Sequence, residues 1–460
     1  MKKLISLALL FALTLSAMAF SSCRFDTPNH MDYPNSTYDG SEVTIEIWHT
    51  FATSSGVSPI ERAAYEFKEI YPNITIKTRV FGNYEQIYEF VTECTDETMP
   101  NLVFCSPSTL MAYHKNDMLV SLDHFINNKN IVASTNEMTG FTQAQIDDFV
   151  DTFYNEGKIF GSDTLYSLPF AKSTDLLYYN KSIFDELSLK VPTTWDEMEQ
   201  CFEVLKEAYP DCTPLGYQST ENLFITLAAQ YGSDYTSANG EYLFVNDKNK
   251  AFVSKFAEWY QKGYLTLSEF EYGPYDDFAN AQTLMYVGNS VGIMYFYPTK
   301  TDGEFTFELG AAPIPQVDPS NPKTVAEGEA SICLIESQNT KEMYASWLYL
   351  KYLMTDMEFQ ARSAAQYNSM PVLNSVKDSD EYKTYVNNSF TNGSLRYIAM
   401  ELVPLQADYC FTTPIFEGYE KARENVGLLV RSIFEKYQLG ADNSAMIDEE
   451  FQKALDECKK

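Results

Sequence analysis

The chain has 460 residues, 45% of them hydrophobic and 15% aromatic, which is material for two or more domains with large cores. Asp and Glu number 64 against 33 Lys and Arg, a formal net charge of −31. That balance excludes a general affinity for nucleic acid or anionic membrane surfaces and points to a neutral or cationic ligand.

Residues 1–22 read as an export signal. Lys2 and Lys3 form its basic start, Leu4 to Phe20 its apolar stretch, and Ala17, Ala19, Ser21 and Ser22 the small residues near the cut. Such a segment is removed and does not span a membrane. Phe20-Ser21-Ser22-Cys23 resembles a bacterial lipobox, which would make Cys23 a lipidated residue; the alternative is an exported soluble protein with an incidental Cys. Residues 23–41 are polar, rich in Pro, Asn, Ser and Asp and without periodicity, so they read as a flexible, lipid-anchored tether. No other apolar run approaches the ~20 residues a spanning helix needs.

From Ser41 to Trp48 Val43, Ile45 and Ile47 alternate with Thr44 and Glu46, the pattern of a strand. Ser58, Pro59 and Glu61 form a helix start with a capping box, and Ile60, Ala63, Phe67 and Ile70 are its expected buried stripe. Strand alternation returns at 74–78, and a third short strand is expected at 101–105. Strand, helix, strand, helix, strand implies a parallel sheet with helices on its faces. Ser167 to Glu197 holds an extended apolar-aromatic segment, Tyr178-Tyr179-Asn180-Lys181, a short helix and a second capping box at Thr194 and Glu197. Met198, Phe202 and Leu205 should face inward, as should Phe252, Phe256 and Trp259 of a helix stopping at Gly263. Residues 288–297 form an apolar run of strand type, 316–326 a surface loop, 331–336 a strand and 341–354 an aromatic helix. Helical stretches at 416–437 and 444–457 close the chain.

The eight Cys show no CxxC pair, so zinc and thioredoxin-like chemistry are unsupported. Cys201 and Cys212 are close enough in sequence for a disulfide across a helix and its following turn, or they are two free thiols. The four His lack metal-ligand spacing, and GxSxG, P-loop and GxGxxG motifs are missing. With 64 carboxylates some pair will mimic a glycosidase couple by chance, so an exported glycoside hydrolase has little support. No cofactor, no metal and no catalytic residue is expected.

Several segments in this order resemble the extracellular solute-binding proteins of carbohydrate-type ABC importers. They are Ile47-Trp48-His49, Phe67 to Ile74, Gly82-Asn83-Tyr84-Glu85-Gln86, Leu177 to Lys181, Thr194-Trp195, Ala312-Pro313-Ile314-Pro315, Gly328-Glu329-Ala330-Ser331 and Met370-Pro371-Val372. The resemblance implies a two-lobed α/β fold of the type II periplasmic-binding class. The N-lobe would comprise 42–171 and 331–369, and the C-lobe 172–330 and 370–460. A sugar or polyol would bind in the cleft, the lobes would close on it by hinge motion, and an ABC permease would be the partner of a monomeric binding protein. Gly82 to Gln86 and Ser173-Thr174 are especially similar to glycerol-3-phosphate-binding members, which implies ligand contacts at Tyr84, Ser173, Gly328 and Glu329. Those members carry a tyrosine where this chain has Ser369, and an arginine near 411–416, where the first arginine here is Arg423. A phosphate needs charge-assisted donors, so the departures favour a neutral sugar.

Residue chemistry adds candidates. Thr53 and Ser54 in the first strand–helix loop can bond hydroxyls or cap the helix. Tyr297, in a Tyr-Phe-Tyr run, offers a ring face to a sugar. Asn222 is a polar candidate before an apolar helix, and Phe416 and Tyr419 form an aromatic platform or a core stripe. Lys172 reads as a solvated charge, and Trp48, Trp195 and Trp347 as buried.

Overall fold

The alternating run after Ser41 forms β1 (Val43–His49). The computed structural model describes residues 33–52, 56–267, 275–295, 297–301, 304–389 and 394–460. The export signal and Cys23 lie outside these. The expected capping box starts α1 (Pro59–Ile70): Ser58 Oγ accepts from the Glu61 amide at 3.1 Å, and Glu61 accepts from the Ser58 amide at 2.8 Å. Ile60, Ala63 and Phe67 are buried, but Ile70 is 44% exposed. It sits at the edge of the stripe on the last turn, where Tyr71 takes the buried place with its ring 4.8 Å from Phe67. β2 (Ile74–Val80), α2 (Tyr84–Thr92), β3 (Leu102–Cys105) and α3 (Pro107–Lys115) follow. β1 pairs in parallel with both β2 and β3, as strand–helix alternation requires.

The apolar-aromatic segment becomes β4 (Ser167–Asn180), buried along nearly its whole length. Then come α4 (Trp195–Ala208), β5 (Thr213–Tyr217), α5 (Thr220–Gln230), α6 (Asp247–Gln261), β6 (Leu265–Leu267) and β7 (Thr283–Asn289). The strand expected over 288–297 stops at Asn289, because its side chain accepts from the Val291 amide at 2.8 Å and turns the chain into a 3₁₀ segment, Val291–Tyr295. β8 (Leu309–Pro313), β9 (Thr324–Leu334), α7 (Thr340–Thr355), α8 (Met357–Tyr367), α9 (Leu395–Gln406), β10 (Cys410–Phe411), α10 (Tyr419–Gln438) and α11 (Ser444–Cys458) complete the fold.

Among the described residues a ten-stranded sheet runs in the order β2-β1-β3-β9-β4-β7-β5-β6, with β8 on β4 and β10 on β9. β4 and β9 are long enough to serve both halves. Residues 167–171 of β4 pair with 330–333 of β9, while 175–179 pair with β7. Beside them the Met370 amide donates to the Lys172 carbonyl at 2.6 Å, and the chain passes between the halves a third time from Ile415 to Phe416. Two apolar cores flank this crossing. The first gathers Ile45, Phe104, Trp347 and Leu350; the second gathers Phe202, Phe224, Phe256 and Val430. Buried residues between Met370 and Ile415 pack into the first core, and the chain joins the second from Phe416 onward. Trp48, Trp195 and Trp347 are buried as expected.

Residues 33–41, expected within a flexible tether, lie against the first core with Tyr33 and Tyr38 buried. Cys201 and Cys212 are both free thiols; Cys201 Sγ faces the Lys190 carbonyl and Cys212 Sγ the Ala281 carbonyl. Among the described residues no helix is long and apolar enough to cross a membrane.

Candidate functional site

The parallel strands of both halves end at the crossing. Cys105, the last residue of β3, pairs with Ser331, and Asn289, the last residue of β7, pairs with Asp175. Carboxyl ends of strands converging from two sides are where open α/β sheets bind ligands.

Ser173 is fully buried in β4, and its Oγ accepts from Asn289 Nδ2 at 2.8 Å. The Asn289 amide in turn donates to Gln218 Oε1 at 2.9 Å. A serine, an amide from the end of β7 and an amide from the loop after β5 therefore meet at the crossing. Gly328 and Glu329 lie in β9 where its register against β4 shifts, between Glu327, opposite Ser173, and Ala330, opposite Ala171. Such a bulge frees backbone groups from the ladder next to Ser173 in register.

Tyr84 opens α2 immediately beyond the carboxyl end of β2, half-buried against the first core. Asn83 caps that helix, accepting from the Gln86 amide at 2.8 Å, and Gln86 reaches back to the Gly82 amide at 3.0 Å. The Gly-Asn-Tyr-Glu-Gln motif is thus first a helix start that fixes the tyrosine. Thr53 and Ser54 lie outside the described residues. His49 at the end of β1 is buried, and its Nδ1 accepts from the Phe51 amide at 3.2 Å. Burial holds its pKa down to about 4, against the opposing pull of the Glu61 carboxylate. Phe51 in turn packs on Tyr367 with ring centroids 4.3 Å apart.

On the other side Asn222 lies buried in the first turn of α5, and its Oδ1 accepts from Arg423 Nη2 at 2.8 Å. The Arg423 guanidinium sits 5.9 Å from the Tyr419 ring, so Arg423 joins two residues that the sequence proposed separately. Burial pushes the Tyr419 hydroxyl pKa up, and Arg423 opposes that. Phe416 is buried in the second core, 5.9 Å from the Tyr242 ring, so packing uses it rather than a ligand platform. Tyr297 is half-buried on the first core beside Arg396, whose Nε donates to Asn368 Oδ1 at 2.6 Å and Nη2 to the Gln366 carbonyl at 3.2 Å.

Lys172, read as solvated, is fully buried and ion-paired with Glu156, with Ser331 Oγ 3.5 Å from its Nζ. Its position in the middle of a strand buried on both faces leaves the ammonium no route to water, and Glu156 is the compensating charge. Across the rim of the crossing, Ser108 donates to Glu420 and Lys115 pairs with Glu417, which ties α3 to the start of α10. Sequence reading missed Gln218, Asn289, Glu156 and Arg396. Asn289 carried a signal, a polar side chain closing an apolar strand, whereas Arg396 and Glu156 became visible only through their neighbours in space. Among the described residues no cluster of His, Cys, Asp or Glu is arranged to hold a metal ion. A cavity of about 570 Å³, bordered by Asp96, Asp117, Glu336 and Glu342, opens at the end of the first half away from the crossing.

A family model described as bacterial extracellular solute-binding protein matches residues 62–389, and the chain belongs to that family. It is 27% identical over 239 residues to a multiple sugar-binding protein of Streptococcus mutans, a match covering 48% of this chain and 54% of that protein. The matched region thus spans about half the length of that relative. Among solved structures it is similar to the cyclic alpha-maltosyl-1,6-maltose binding protein of Arthrobacter globiformis (TM-score 0.70, 17% identity, 91% and 98% of the two chains). It is similar also to UgpB of Mycobacterium tuberculosis in complex with glycerophosphocholine (0.67, 17%, 91% and 98%) and to the sugar-binding protein MalE of Xanthomonas citri (0.65, 19%, 89% and 98%). These likenesses establish a two-lobed solute-binding fold, and membership of an extracellular family makes the chain an exported protein.

Proposed function

We propose that this solute-binding protein is a lipid-anchored receptor that captures a sugar or small oligosaccharide by hinge closure and delivers it to an ABC permease, with no covalent chemistry. The observation that carries the reading is the polar layer Ser173–Asn289–Gln218, held where strands of both lobes end and beside the bulge at Gly328. Hydroxyl and amide groups of this kind exchange bonds with sugar hydroxyls, and Tyr84 and Tyr297 at the margins present rings to C–H faces. Closure removes water, and the difference in ligand affinity between closed and open forms sets the switch. The names of the Streptococcus, Arthrobacter and Xanthomonas relatives support a sugar. In the lobe division we propose, the first lobe keeps residues 370–415, which pack in its core.

A second reading, an anionic glycerol phosphate or phosphodiester ligand, is favoured by Arg396 and Arg423. They place guanidinium groups on both sides of the crossing, bonded to Asn368 and Asn222 respectively. The glycerophosphocholine complex of the Mycobacterium neighbour is consistent with that.

The test is a thermal-shift screen of residues 24–460 against mono- and oligosaccharides, polyols and glycerol phosphates. A ligand that binds only the native state raises stability by RT ln(1 + [L]/Kd). A sugar shift without product formation supports the first reading and a phosphate shift the second. Silence across the panel together with sugar cleavage would overturn both. For the best ligand, Tyr84→Ala should weaken binding in titration calorimetry while leaving the melt of the free protein unchanged.

A further inference from the structure

Nine residues before β1 make more contacts with the first lobe than a linker needs. Tyr33 is buried, its ring 5.7 Å from Phe125, and its hydroxyl donates to the Ser337 carbonyl at 3.0 Å. Tyr344 on α7 receives the Ser36 amide at 3.2 Å and donates to the Pro34 carbonyl. Asn128 Nδ2 donates to the Ser36 carbonyl at 2.7 Å, Thr139 Oγ1 to Thr37 Oγ1 at 2.6 Å, and Asn73 Nδ2 to the Gly40 carbonyl at 2.7 Å. Tyr38 is buried with its ring edge-on to Tyr71 at 6.3 Å. The bonds reach separate parts of one lobe: the start and flank of α7, the turn after α1 and the loops around 128 and 139. A segment with two buried rings and the carbonyls of Pro34, Ser36, Gly40 and Ser41 all hydrogen-bonded has lost the freedom that its composition suggested.

We propose that residues 33–41 are a strap belonging to the first lobe, so that the membrane tether is confined to the residues before Tyr33 and the anchor holds the first lobe alone. The proposal rests on the lipid-anchor reading of Cys23 for its membrane end only. From Cys23 to Tyr33 the chain reaches at most about 35 Å even fully extended. The strap leads into the start of β1, at the end of the sheet away from the crossing, where Leu334 pairs with Leu102. A lipid on Cys23 would therefore keep the first lobe within that reach of the membrane. The second lobe is joined to it through β4, β9 and the passage from Ile415 to Phe416.

The experiment follows chymotrypsin cleavage of the Tyr38–Asp39 bond in unlipidated 24–460 and in the same chain carrying Tyr33→Ala and Tyr344→Phe, which remove a buried ring and the hydroxyl that holds Pro34 and Ser36. Cleavage tracks opening of the segment, so the wild-type bond should be cut at least about tenfold more slowly. Equal rates would overturn the proposal. As a second readout, a chain beginning at residue 42 should melt lower than 24–460 by about 3–6 °C, and coincident melts would also overturn it. Neither readout needs the lipid. If the exported protein's mass shows no acyl group while the strap stays protected, anchoring at Cys23 fails and the docking stands.

Discussion

Replacing Lys172 by Met should be among the most damaging single changes in this protein. Lys172 Nζ is fully buried, its partner Glu156 is 4% exposed at the side chain, and Ser331 Oγ lies 3.5 Å away. Met fills similar volume, so little of the loss is a cavity. What remains is a carboxylate without its counter-charge in the middle of the crossing. Breaking a buried pair from one side costs about 3–5 kcal/mol, whereas replacing both members by apolar residues is often neutral or better. Against a total stability of about 5–15 kcal/mol that is about a fifth of the whole or more. The assay is urea unfolding at pH 7, with the midpoint shift read at constant slope. Lys172→Met and Glu156→Leu should each shift the midpoint strongly. Lys172→Met with Glu156→Leu should recover much of the loss, giving a coupling of about 2 kcal/mol or more in the cycle. A Lys172→Met protein within about 1 kcal/mol of wild type would refute the reasoning, because the ammonium would then contribute no more than an exposed ion pair.

Acid should destabilise the fold through His49. Its folded pKa is depressed to about 4, while an unfolded histidine titrates near ~6.5. The unfolded chain binds the extra proton between those values, so the contribution is full above about pH 6.5 and lost as pH falls towards 4, roughly 3 kcal/mol in all. His49→Gln should flatten the acid limb of a plot of melting temperature against pH; an unchanged limb would assign it to other groups. Arg423→Gln should cost an anionic ligand at least about tenfold in Kd, because a charge-assisted bond is lost, and a neutral sugar much less; equal losses would show that Arg423 only positions Asn222. Thiol titration in denaturant should find Cys201 and Cys212 both free. Burial pushes the Cys201 thiol up to about 11, so maleimide should label it slowly in the native protein; rapid native labelling would contradict that burial. Lys115→Ala, which removes the exposed pair with Glu417 across the rim, should change unfolding stability by less than about 1 kcal/mol.

Local rules were legible wherever the chain's own chemistry decided the outcome. The boxes at Ser58–Glu61 and Thr194–Glu197 formed as read, because a cap is satisfied within four residues. Period-2 and helical patterns placed β1 and the inward faces of α4 and α6, because burial follows those periods directly. The parallel start of the sheet followed from strand–helix alternation. What the residues at 33–41 would do was not legible: their polar composition suggests freedom, and the partners that remove it, Phe125, Asn128, Thr139 and Tyr344, come from distant sequence. Lys172 was misread for the same reason, since its neighbours in sequence say nothing of Glu156. The same holds for the end of β7, where Asn289 turns the chain through its own side chain and leaves the aromatic run after it outside the strand.

By itself the sequence determined the strand–helix alternation that opens the chain, the capped helix starts and the inward faces of α4 and α6. Only the tertiary structure decided which polar side chains meet there: Asn289 against Ser173, Arg423 against Asn222 and Tyr419, and Lys172 inside rather than out. Periodicity and capping are short-range properties of the chain. Pairing a buried polar group is a long-range demand, set by whatever other segment the crossing strands bring within hydrogen-bond reach.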